Sequence, residues 1–142
     1  MLTKPRVIPV LLLQGKGLVK TTRFKNPTYL GDPINVVKIL NDKEVDELVF
    51  LDIQASVKNT PVQFDLLSRI AAECFMPFGY GGGIRKIEDI RMILRLGVEK
   101  VVINSYAAES PNFIRKAADL FGSQAIVVSI DVKKDIFSLS KY

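Results

Sequence analysis

The chain contains no histidine, no tryptophan and one cysteine, Cys74. Without histidine it cannot assemble a Ser-His-Asp or Cys-His nucleophile from its own residues, and a conventional zinc site loses its usual nitrogen ligands. A lone cysteine excludes an intramolecular disulfide. Long hydrophobic runs are also missing, since no apolar stretch approaches the roughly 20 residues of a membrane-spanning helix. The opening Met1-Leu2-Thr3-Lys4-Pro5-Arg6 lacks the apolar core of a signal peptide. The expectation is a cytoplasmic protein with no metal, no cofactor and no membrane partner.

What is present fits one domain with a real core: 142 residues, 48% of them hydrophobic. The net charge of +5 comes from scattered groups, with Lys20, Arg23 and Lys25 early, Arg85, Lys86, Arg91 and Arg95 in the middle, and Lys133 and Lys134 late. A solvated helix face accounts for the middle group. No basic motif is interleaved with aromatics, so nucleic acid is not an expected partner.

Short apolar runs alternate with helical periodicity. Strands are expected at Arg6–Leu13, Leu48–Ile53, Pro77–Tyr80, Lys100–Ile103 and Ala125–Asp131. Helices are expected at Pro33–Leu40, Val62–Cys74, Ile87–Leu96 and Pro111–Phe121, the last introduced by Ser110 as N-cap and Pro111 at N1. Gly97 and Gly122 stand where helix-terminating glycines belong. Four βα units and a fifth strand predict an α/β protein with a parallel sheet. A (β/α)8 barrel takes about 250 residues, so the expectation is the N-terminal half of one, a single partial domain over 1–142. Half a barrel leaves open sheet edges. Either a second copy covers them by self-association or the chain is truncated, and the tail Asp135–Tyr142 favours truncation.

Two strand-to-helix turns stand out. Gly81-Gly82-Gly83 closes the third strand and Asn104-Ser105 the fourth. Glycines admit positive φ and leave no Cβ against an approaching anion. N–H groups exposed beside a helix start suit a phosphate. The reading is a phosphorylated small molecule held on a barrel rim; the alternative is a Gly-rich connection and an unrelated turn.

With these positions set, the chain resembles the cyclase subunit of imidazole glycerol phosphate synthase, a family that works beside a glutaminase subunit. The resemblance rests on Arg6-Val7-Ile8-Pro9, Lys20, Gly31-Asp32-Pro33, Asp46–Ile53 with Ala55-Ser56, Gly81–Arg85, Lys100–Ser105, Phe121–Ala125 and Ser129-Ile130-Asp131, in that order. It implies a barrel whose top binds a substrate with a phosphate at each end. One phosphate would rest on Gly82, Gly83, Asn104 and Ser105, with Lys20 and Asp52 also serving the substrate. It implies that Asp131 is a catalytic acid. It implies an ammonia gate at the barrel bottom, with Arg6, Glu47 and Lys100 as three of its charges, and Glu99 in the glutaminase interface. One position departs from the pattern: the run Val10-Leu11-Leu12-Leu13 puts Leu12 where the family's first catalytic acid stands. Leucine cannot exchange a proton. The combination resembles a diverged paralogue linked to amidination of a surface polysaccharide sugar, as in lipopolysaccharide biosynthesis. The alternatives are a genuine histidine-pathway cyclase, a lyase, and a non-catalytic phosphate-binding half barrel.

Overall fold

Alternation along the strands decides which sheet face meets the helices. In β4 (Leu48–Asp52) Leu48, Phe50 and Asp52 are buried while Val49 and Leu51 are partly open. The same side of β5 (Phe78–Gly81) carries Phe78 and Tyr80, and that of β6 (Lys100–Ile103) carries Val101 and Ile103. Against this face pack α1 (Pro33–Asp42), α3 (Phe64–Glu73), α4 (Ile87–Arg95) and α6 (Pro111–Phe121), through Val37, Leu67, Ile70, Ile90, Ile93 and Ala117 among others. Each helix shows one apolar stripe, as its sequence spacing requires. Two one-turn helices, α2 (Ala55–Lys58) and α5 (Ser105–Glu109), and a 3-10 turn at Ser123–Ala125 complete the helical part.

The computed structural model describes residues 4–132. The remaining strands are β1 (Val10–Gln14), β2 (Gly17–Thr22), β3 (Lys25–Gly31) and β7 (Ile126–Val128). The sheet has seven strands in the order β3-β2-β1-β4-β5-β6-β7. The run β1-β4-β5-β6-β7 is parallel and follows chain order, the winding of a (β/α) barrel, here as an open sheet. Four βα units and a fifth parallel strand are therefore present, as expected.

Three expectations need correction. The hairpin β2–β3 was not anticipated; it pairs antiparallel on the outer side of β1. Its two-residue turn is Arg23-Phe24, both at positive φ (50° and 61°), a geometry that Asn-Gly normally signals. The first strand starts at Val10, not Arg6: Val7 N–H goes to the Asp46 carboxylate at 2.7 Å, and Pro9 has no N–H to give a ladder. The fifth strand spans Ile126–Val128, not Ala125–Asp131, because Ala125 belongs to the 3-10 turn and β7, at the sheet edge, pairs with β6 alone. Lys133, Lys134 and the tail Asp135–Tyr142 lie outside the described residues. Ser110 precedes α6 without a side-chain capping bond.

Candidate functional site

The parallel strands bring their C-terminal ends to one cleft of about 420 Å³. Gly81, Gly82 and Gly83 line it from the β5 turn, Asn104 and Ser105 from the β6 turn, and Asp52 and Asp131 from the ends of their segments. The sheet register explains this convergence, since Leu51 pairs with Gly81 and Gly81 with Val102.

The glycines are fixed by packing. A Cβ on Gly82 would meet the Asp52 Cβ at 2.6 Å and its carbonyl at 2.9 Å, and one on Gly81 would meet the Val102 carbonyl at 2.8 Å. Gly82 and Gly83 also sit at φ of +143° and +65°, where side chains are strained. The missing Cβ atoms therefore let the turn nest against β4 and α2 rather than clear the cleft itself. Among the described residues no backbone carbonyl accepts the N–H of Gly82 or Gly83. Free donors of this kind are what an anion site needs.

Asp131 is exposed, and its Oδ2 accepts a 2.7 Å hydrogen bond from the Asn104 side-chain amide. That bond joins the β6 turn to the segment after β7. Leu12 faces the cleft from β1, on the sheet side away from the helices, and supplies only hydrocarbon there.

Asp52 is 7% exposed, and both its oxygens are engaged. Oδ1 accepts from the N–H groups of Gln54 (3.0 Å) and Ala55 (3.1 Å), capping α2, and Oδ2 accepts from the Gln63 amide at 3.1 Å. The same Gln63 nitrogen donates to the Gly15 carbonyl at 2.9 Å. Beneath this cluster the Tyr80 hydroxyl has no hydrogen-bond partner among the described residues. Burial first, and the Asp52 charge second, push it well above the ordinary tyrosine range; the nearby Gln63 backbone offsets only part. The sequence gives no hint of this cluster, which joins β4, α2 and the segment before α3.

Lys20 is the candidate that the fold does not bring to the cleft lining. It is exposed in β2 opposite Thr28, while its neighbour Thr21 faces the cleft. Arg85, which lines the cleft, was not singled out as a site residue from the sequence.

At the opposite end of the sheet, Arg6, Glu47 and Lys100 meet. Glu47, only 2% exposed, accepts from Arg6 Nη2 at 2.9 Å and from Lys100 Nζ at 2.7 and 2.9 Å. Glu99 is exposed beside Lys100, its N–H bonded to the Phe78 carbonyl. No described helix is long and apolar enough to cross a membrane. Among the described residues no cluster of three or more metal-ligating side chains occurs.

A family model described as "Histidine biosynthesis protein" matches residues 6–141. A provisionally named imidazole glycerol phosphate synthase subunit of Pseudomonas aeruginosa is 53% identical over 133 residues, covering 94% of this chain and 53% of that protein. A provisionally named HisF subunit of the same synthase from Leptospira interrogans is 49% identical over 135 residues, 95% of this chain and 53% of its own length. The imidazole glycerol phosphate synthase subunit HisF of Methanocaldococcus jannaschii is 46% identical over 134 residues, 94% of this chain and 49% of that protein. The chain spans about half the length of the curated relatives it matches.

Proposed function

The chain belongs to the histidine biosynthesis protein family, and we propose that it forms the phosphate-binding side of a cyclase-type barrel that receives ammonia from a glutaminase partner and passes it on to amidinate a surface sugar. Phosphate binding is supported by the convergence of two turns on one cleft and by the free N–H groups of Gly82 and Gly83. Passage of ammonia at the far end is supported by the trio Arg6, Glu47 and Lys100, whose charges hold polar groups where an apolar plug would otherwise form. Glu99, exposed beside them, is the proposed glutaminase contact.

The observation that carries the departure from imidazole closure is Leu12 in the cleft with Asp131. Loss of one acid–base group costs roughly two to four orders of magnitude in rate. Asp131, held by Asn104, remains as a single proton carrier. A histidine-pathway lyase is the second reading, favoured by this retained carboxylate and by the resemblance to the Methanocaldococcus jannaschii subunit. One assay separates them. The full-length protein, given ammonium and a ribulosyl imidazole-carboxamide ribotide, is expected to show no cyclisation, and Leu12→Asp is expected to gain turnover. Brisk cyclisation by the unmodified protein would establish the lyase reading instead.

A further inference from the structure

The phosphate reading leaves one cation at the cleft unused. Arg85 follows the glycine turn and lines the cleft together with Gly83, Ser105 and Tyr106. Its guanidinium is held at two points. Nη1 and Nη2 reach the two Glu109 carboxylate oxygens at 3.1 and 3.2 Å, and Cζ lies 5.2 Å from the centroid of the Tyr106 ring. Tyr106 is itself anchored edge-on against Phe113, with ring centroids 4.9 Å apart. The fork of Arg85 is therefore pre-aimed and occupied by a carboxylate from this same chain.

We propose that Arg85 is a ligand-binding residue of the cleft that takes a phosphoryl group bidentately, and that Glu109 competes with that group for it. This rests on the phosphate reading above and adds to it a cation that neutralises the ligand's charge. Guanidinium geometry matches two phosphate oxygens as well as it matches a carboxylate. The competitor is cheap to displace. Both partners of the ion pair are close to half exposed (44% and 49%), and such pairs are worth about two- to five-fold in equilibrium constant. A dianionic phosphoryl group also carries more charge than the carboxylate it replaces. Stacking on Tyr106 keeps the guanidinium at the mouth when Glu109 lets go, so the exchange needs no search by a free side chain. In this arrangement Glu109 balances the Arg85 charge until a phosphoryl group takes the fork and Glu109 swings into solvent.

The two partners therefore have opposite signs in a binding experiment. Inorganic phosphate is titrated into the full chain while the amide signals of Gly83 and Ser105 and the Arg85 side-chain N–H are followed by NMR. Glu109→Gln is expected to tighten binding about two- to five-fold, the strength of the lost competitor. Arg85→Ala is expected to weaken it about ten-fold or more, with Arg85→Lys between the two because it keeps charge and loses the fork. Ser105→Asp places a like charge at the turn and is expected to remove binding altogether. If Arg85→Ala binds like the parent while Ser105→Asp does not, the turns act alone and the Arg85 proposal is overturned with the phosphate reading intact. If Glu109→Gln weakens binding, the competition is overturned. Tighter binding in Glu109→Gln cannot arise from damaged folding. If phosphate moves neither turn in the parent, the underlying phosphate reading falls as well.

Discussion

Glu47 and Lys100, 53 residues apart in the chain, meet in a two-pronged ion pair with distances of 2.7 and 2.9 Å. Arg6 adds a third contact to the same carboxylate, but from a far more exposed position, 54% against 30% for Lys100. The buried partner of both is Glu47, and its desolvation is repaid only while these cations stay in place.

The two cations should therefore differ in stability effect. Lys100→Met leaves the buried carboxylate with one contact and is expected to cost about 2–3 kcal/mol, below the roughly 3–5 kcal/mol for breaking a fully buried pair because Lys100 is partly exposed. Arg6→Met is expected to cost about 1 kcal/mol or less, as for exposed pairs. Urea denaturation of the two variants measures both. Equal losses would mean that Lys100 has no special share in holding Glu47.

The glycine turn makes a second comparison. Gly82→Ala drives a Cβ into Asp52 at 2.6 Å, whereas Gly97, at φ +97°, has open space around its missing Cβ. Gly97→Ala thus pays only backbone strain, about 1–2 kcal/mol. Gly82→Ala pays the strain and a steric clash, and is expected to lose about 3 kcal/mol or more. Thermal melts rank the two, and a Gly82 variant no worse than the Gly97 variant would contradict the packing role given to Gly82.

Tyr80 offers a pH-dependent test. Its hydroxyl is buried with no hydrogen-bond partner among the described residues, and its pKa is raised by burial and by Asp52. The folded chain therefore keeps this proton at pH values where the unfolded chain loses it. The sign follows: the contribution to stability is full below the ordinary tyrosine pKa of about 10 and is lost as pH rises above it. Tyr80→Phe is expected to gain about 1 kcal/mol at pH 7, by removing an unsatisfied polar group. It is also expected to lose less stability than the parent between pH 9 and 11. Parallel loss in the two proteins would show that Tyr80 does not titrate with unfolding.

Much of this was readable from apolar spacing. Lys100–Ile103 and Pro111–Phe121 form a strand and a helix over the very residues that the periodicity marks, because each packs one continuous apolar stripe or run into the core. The hairpin escaped because its turn uses Arg23 and Phe24 at positive φ and because β3 is almost wholly exposed and contains Pro27, so neither turn chemistry nor alternation announces it. At the cleft, Gly82, Gly83, Asn104, Ser105 and Asp131 come together from motifs visible in the sequence. The contact between Arg85 and Glu109 spans 24 residues, and only the packing of α5 beside the glycine turn creates it. Lys20 shows the reverse case: it falls in an expected motif, but strand alternation gives the cleft its neighbour Thr21 and leaves Lys20 out of the lining.

Asp52 separates a structural role from a ligand-binding one. Both carboxylate oxygens are spent on Gln54, Ala55 and Gln63, and the residue is 7% exposed. A ligand arriving in the cleft meets an Asp52 already held in place by three hydrogen bonds. Asp52→Asn keeps the volume and one acceptor oxygen, but its amide nitrogen cannot accept what Oδ1 and Oδ2 together accept now. The expected cost is about 2–3 kcal/mol, the range for hydrogen bonds to a charged group lost in a buried setting. Asp52→Ala is expected to lose more, since it also leaves the N–H groups of Gln54 and Ala55 unpaired at the start of α2. Because Gln63 links Asp52 to the Gly15 carbonyl, hydrogen exchange at the β1–β2 connection should quicken in both variants, a change that loss of a surface ligand contact would not produce. Phosphate affinity in Asp52→Asn, measured on the fraction still folded, should stay within about three-fold of the parent, well under the ten-fold or more that losing a direct charged hydrogen bond brings. A variant as stable as the parent but unable to bind phosphate would instead make Asp52 a direct ligand.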